Sequence, residues 1–113
     1  MRIYFACEGK SEERCIDSIL LNPGLRFREI GIESRTLNLG GSQGFLKRIG
    51  HTVKSAIMQS RADVVFGLTD LHGAAIQLPG DGVSKGKKAE VYRNHIHQKA
   101  DQEYHKRFFP HVA

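Results

Sequence analysis

Glu8, Glu12 and Asp70 are the side chains whose types and positions point to chemistry in this sequence. Glu8 follows the apolar run Ile3-Tyr4-Phe5-Ala6-Cys7, and Gly9 permits a tight turn behind it. Ser11 is placed to cap a helix, with Glu12 and Glu13 in the first turn, where carboxylates complement the helix dipole. Two carboxylates four residues apart then share one strand-end rim. Asp70 ends a second apolar run, Val64-Val65-Phe66-Gly67-Leu68, and arrives at the same rim if the two runs are parallel strands. Clustered carboxylates repel one another unless a proton or cation intervenes, and hard divalent ions take oxygen ligands. Taken singly, each acid has a plainer role, dipole complement for Glu12 and turn cap for Asp70. Their convergence is what reads as a metal site.

Other motifs are weaker. Glu8-Gly9-Lys10-Ser11 invites comparison with a phosphate-binding loop, but the first glycine of that pattern falls on Tyr4, inside a strand. His95 and His97 lie two apart, about 200° around a helix, and cannot grip one ion together. No paired Cys/His spacing suggests zinc. His51, His105 and His111 read as surface or half-buried residues. Cys7 and Cys15 read as reduced core thiols, and Phe66, Phe108 and Phe109 as core rather than a base-stacking platform.

The elements that must position these residues follow from periodicity. Strands are expected over Arg2–Cys7, Ile32–Leu39 and Asp63–Thr69, with a strand stub from Phe108. Helices are expected from Ser11 to the Asn22-Pro23-Gly24 stop, over residues 45–60, and over Lys87–Arg107. Gly40–Gly44 reads as a turn, and Leu71–Lys88 as a long loop. The alternation predicts an α/β fold: a three-layer, Rossmann-like, mostly parallel sheet of about four strands with three helices. Ligands of such sheets collect at the carboxyl ends of the strands, which points to Glu8-Gly9 and to Asp70-Leu71-His72.

The chain has 113 residues, a net charge of +5 and 40% hydrophobic residues, as expected of one domain over residues 1–113. No apolar run approaches the roughly 20 residues of a membrane span, and the amino terminus does not read as a signal peptide. A cytoplasmic protein without a membrane partner is expected. Seven of the 17 basic residues and only three of the 12 acidic ones fall in residues 85–113, a candidate polyanion contact whose plainer reading is a solvated helix face.

The arrangement resembles the Toprim domain of topoisomerases, primases and overcoming-lysogenization-defect nucleases. In that fold a glutamate ends the first strand and a D-x-D pair ends the third. Glu8 matches the glutamate and Asp70 the first aspartate. More narrowly, the chain looks like an uncharacterised bacterial Toprim-related family often encoded beside ATPases. The matching segments are Glu8 to Glu13, Asp70, Leu78-Pro79-Gly80 and Arg107-Phe108-Phe109-Pro110. His72 stands where the second aspartate would be, so a magnesium pair gives way to manganese or a single ion. Relative to that family the chain stops early, at Ala113, and reads as a truncated form.

The resemblance implies metal-dependent, nuclease-like phosphoryl transfer on nucleic acid. Glu8 would act as general acid/base or ligand, and Glu12, Asp70 and His72 would help to hold Mg2+ or Mn2+. Lys10, Lys85, Lys87 and Lys88 would steer the nucleic-acid backbone. The alternative is a non-catalytic module that partners an ATPase or binds nucleic acid.

Overall fold

The computed structural model describes residues 1–9, 14, 30–71, 74, 76–78, 80 and 82–112. The elements in chain order are β1 (Arg2–Cys7), β2 (Glu33–Asn38), α1 (Gly41–Met58), β3 (Val64–Thr69), α2 (Lys85–Gln98), a 3-10 helix (Gln102–Arg107) and β4 (Phe108–Val112). The strands form one sheet in the order β2-β1-β3-β4, and every neighbouring pair is parallel. This is the expected α/β fold with a four-stranded parallel sheet. Of the helix expected from Ser11, only Arg14, which is helical and exposed, lies within the described residues.

The two central strands are apolar on both faces, which suits strands covered on both sides. Register places Tyr4 beside Val65, Ala6 beside Gly67, and Val65 beside Phe108. These residues share one face, and α1 and α2 cover it. Phe45, Ile49, Val53, Ala56 and Ile57 of α1 recur at helical spacing and are all buried there, with Tyr92 and Ile96 of α2 in the same cluster. Each large apolar side chain buried in this layer contributes roughly 1.5–3 kcal/mol. β2 lies at the edge and is polar, in keeping with its exposed Glu33 and Arg35.

The opposite face carries a row of rings in register, Phe5, Phe66 and Phe109, with centroids 5.6 and 5.8 Å apart. The expectation that all three later phenylalanines are core is therefore corrected. Phe108 is buried, but Phe109 is 47% exposed, because successive strand residues point to opposite faces. The strand stub is also a complete strand, paired with β3 from Val65↔Phe108 to Thr69↔Val112. Arg107 steadies its start by donating to the Ala62 and Asp63 carbonyls, at 2.5 and 3.1 Å.

Three further boundaries differ from expectation. The Gly40–Gly44 segment is not a turn, because Gly41 already opens α1. Gly44 is tolerated in its first turn because a β-carbon there would strike the Leu39 carbonyl oxygen. The loop before α2 ends earlier, at Ser84, whose side chain accepts from the Lys87 amide at 3.2 Å as an N-cap. The expected helix over Lys87–Arg107 is two elements, with a break after Gln98. Two imidazoles span that break: His97 Nε2 donates to the His105 carbonyl at 2.9 Å, and His105 Nε2 to the Ala100 carbonyl at 2.8 Å. Their rings lie 4.3 Å apart, with His97 also stacked on Phe108. Ala100 and Tyr104 are still buried, so the apolar spacing survives while the backbone changes direction.

Candidate functional site

From β1 the chain passes to β2 on one side and later to β3 on the other, so the strand order reverses between β1 and β3. In parallel α/β sheets the crevice at the carboxyl ends of such a pair is the usual ligand site. Cys7, the last residue of β1, is level with Leu68 of β3, so Glu8 and Asp70 both follow their strands at this crevice. The structure brings these two predicted residues together.

Glu8 is half-buried and held from three directions. Its amide donates to the Leu68 carbonyl at 3.0 Å, and its carbonyl accepts from the Gly41 amide at 2.6 Å. Its carboxylate accepts at Oε1 from Ser42 Oγ at 2.5 Å, and at Oε2 from the Thr69 hydroxyl and from the Asp70 amide, the latter at 2.9 Å. One side chain thus ties the end of β1 to the first turn of α1 and to the end of β3. Asp70 itself is exposed at the rim, while Thr69 beside it is only 2% exposed.

Gly40, the residue before α1, has φ 80°, a left-handed conformation that glycine adopts without strain, and its amide donates to Asn38 Oδ1 at 2.9 Å. No acidic side chain lies in the first turn of α1. The Glu8 carboxylate, delivered from β1, supplies the negative charge that this helix end favours.

A carboxylate offers about four lone-pair sites. Among the described residues Oε1 of Glu8 accepts one hydrogen bond and Oε2 two, so Oε1 is the less committed oxygen. With the exposed Asp70 it presents hard oxygen donors suited to Mg2+ or Mn2+. Glu12, His72 and Lys10 lie outside the described residues. Among the described residues no three His, Cys, Asp or Glu side chains group as metal ligands.

Lys85, Lys87 and Lys88 occupy the first turn of α2. A β–α–β crossover runs back against its strands, so this turn begins toward the carboxyl-end side of the sheet. Lys85 and Lys87 are exposed, Lys88 is half-buried, and Lys87 lies 3.6 Å from Glu90. Cations at a helix N-terminus oppose the dipole, and this first turn carries no acid to offset them.

Sequence reasoning missed Ser42 and Thr69 as partners of Glu8. The available signal was a hydroxyl residue at the end of β3 and another, Ser42, just ahead of the apolar stripe that begins at Phe45. No family model, curated protein or solved structure matches the chain. Among the described residues no helix is long and apolar enough to cross a membrane.

Proposed function

We propose that this chain is a Toprim-like, divalent-cation-dependent phosphoryl-transfer domain acting on nucleic acid in the cytoplasm, in the manner of a nuclease. The observation that carries this reading is the bond from the Asp70 amide to the Glu8 carboxylate, which sets two acidic residues side by side at the β1/β3 crevice. Glu8 and Asp70 supply oxygen ligands, and Glu12 and His72 are the candidates to complete the set for Mg2+ or Mn2+. Such a cation, when bound, polarises a phosphodiester and offsets the charge that develops on it. Glu8 is oriented by Ser42 and Thr69, so its carboxylate needs little rearrangement to accept a proton or a ligand. Lys10, Lys85, Lys87 and Lys88 draw the backbone toward the crevice, and cations that oppose their own helix dipole gain from an incoming phosphate.

The test is incubation with plasmid and single-stranded DNA in Mn2+ or Mg2+, with Mn2+-induced broadening of amide resonances as a second readout. Cleavage abolished by Glu8→Gln and Asp70→Asn, together with broadening at residues 8 and 70, is the expected result. Cleavage that survives both substitutions, or resonances that Mn2+ leaves untouched, sinks the reading.

A second reading has its own observation. Glu8 already joins three elements through Ser42, Thr69 and Asp70, which is what a structural brace would do. On that reading the chain is a binding module, with nucleic acid or an ATPase as partner, and binding without cleavage is its signature.

A further inference from the structure

We propose that the cleft between the outer stripe of α1 and the turn at Lys99–Asp101 binds a nucleic-acid phosphodiester backbone, with Lys47, Arg48, Lys54 and Lys99 as its contacts. The choice of nucleic acid as the polyanion rests on the function proposed above. The binding itself requires neither Glu8 nor Asp70.

The first support is periodicity. Gln43, Lys47, His51 and Lys54 fall within about 80° of one another around the helix, opposite the buried stripe of Phe45, Ile49 and Val53. Lys47, His51 and Lys54 are all exposed, and they extend about 10 Å along the axis from Lys47 to Lys54. The outer face of α1 is thus a basic track rather than a mixture of both signs.

A close backbone approach then brings in a cation from elsewhere in the chain. A β-carbon at Gly50 would collide with the Lys99 carbonyl oxygen, so only glycine lets the turn after α2 lie directly on α1. This contact seats Lys99 beside Lys47, His51 and Lys54. Two adjoining concavities result, of about 500 and 630 Å³, and they share Leu46, Lys47 and Lys99. The second reaches Gln43, Arg48 and Gly40, with Arg48 Nη1 close over Gly40. Gly40 immediately precedes Gly41 and Ser42, both bonded to Glu8, so the cleft opens next to the carboxylate crevice.

Charge decides the occupant. Four permanent cations line the two concavities, and Asp101 is the one carboxylate among their lining residues. Among the described residues no carboxylate forms an ion pair with Lys47, Arg48, Lys54 or Lys99, whereas Lys87 has Glu90 beside it. Unpaired, exposed cations spaced along a groove match the repeating charge of a phosphodiester chain. With no Phe, Tyr or Trp among the lining residues and the His51 imidazole as the one ring, the contact engages backbone phosphates and offers no platform of successive rings for stacking bases.

The experiment is fluorescence anisotropy with a fluorescein-labelled, mixed-sequence DNA of about 20 nucleotides, single-stranded and duplex, in EDTA so that no divalent ion contributes. For four phosphate contacts on a single strand, log K falls with log[salt] with a slope near −3, from about −0.7 per contact. Lys47→Glu with Lys54→Glu is expected to weaken binding at least tenfold, and the neutral pair Lys47→Gln with Lys54→Gln to reduce the slope by about 1.4. Arg93→Glu, an exposed charge reversal on α2 that lines neither concavity, is expected to leave affinity within twofold. Circular dichroism of each variant separates lost binding from lost folding. Overturning results are no DNA binding by the native protein at low salt, native-like affinity in both paired variants, or equal weakening by Arg93→Glu. Binding with these properties but no metal-dependent cleavage leaves the cleft intact and removes the nuclease reading. Cleavage that persists while the paired variants bind normally does the reverse.

Discussion

The Asp70 amide donates to the Glu8 carboxylate across 2.9 Å, joining residues 62 positions apart in the chain at the carboxyl ends of the two central strands. Neither residue would acquire this neighbour from local structure. The bond depends on β1 and β3 being parallel and adjacent, with Cys7 level with Leu68. Thr69 and Ser42 complete the frame around the same carboxylate.

That frame has a measurable energy. Hydrogen bonds to a charged group contribute about 1.5–3 kcal/mol, more when the donor is buried. Thr69 is 2% exposed, so Thr69→Val, which keeps the shape and removes the hydroxyl, is expected to lower stability by about 2 kcal/mol in urea denaturation. Ser42 is half-buried, and Ser42→Ala is expected to cost about half as much. In a double-mutant cycle of Thr69→Val with Glu8→Ala, a coupling of at least ~1 kcal/mol is expected. Additivity within error would show that the hydroxyl does not act through Glu8.

Three glycines in regular elements should respond differently to alanine. At Gly86, in α2, the nearest atom to an added β-carbon is Ser84 Oγ at 4.0 Å, so Gly86→Ala should gain about 0.5–1 kcal/mol from helix propensity. At Gly50 the same gain is outweighed by collision with the Lys99 carbonyl oxygen, and a net loss of about 1–3 kcal/mol is expected. At Gly67 the neighbours are ring atoms, Phe108 Cε1 at 3.2 Å and Phe45 Cζ at 3.3 Å, which can yield slightly, so the loss should be near 1 kcal/mol. Thermal melts of the three variants give the order Gly86→Ala above native, Gly67→Ala below it, and Gly50→Ala lowest.

Two tyrosines should ionise on opposite sides of the ordinary phenol value of 10.0. Hydrogen bonding to Ser60 holds Tyr4 below it, helped by the Arg35 and Arg2 charges and opposed by burial. Desolvation raises Tyr104, reinforced by Glu103 and Asp101. A raised folded-state value means that Tyr104 contributes stability below pH 10.0, which is lost as pH climbs through the folded value. The depressed value at Tyr4 has the opposite sign, its contribution being present above pH 10.0. An ultraviolet titration should show an early phenolate phase that Tyr4→Phe removes and a late one that Tyr104→Phe removes. Reversal of that order would contradict the assignment.

Much of the fold is legible in local pattern. Short apolar runs alternating with stripes at helical spacing led to a parallel α/β sheet, and Glu8 and Asp70 each stand directly after such a run. The boundaries were less legible where glycine serves a contact instead of a turn. Gly44 and Gly50 sit inside α1 because the Leu39 and Lys99 carbonyls lie against them, a reason that no window of local sequence contains. The break after Gln98 was hidden because Tyr92, Ile96, Ala100 and Tyr104 keep a spacing of four across it.

The sequence by itself determined which residues could be buried, which could end a strand, and that acids would stand at those ends. Periodicity and residue type are properties of neighbours along the chain, and they suffice for this. The tertiary structure alone decided that Ser42 and Thr69 would hold Glu8, that Phe109 would be exposed while Phe108 is buried, and that Lys99 would join the basic stripe of α1. Each of these depends on strand order, strand register or close backbone packing, which are set by cooperative burial of the whole core and not by any one segment.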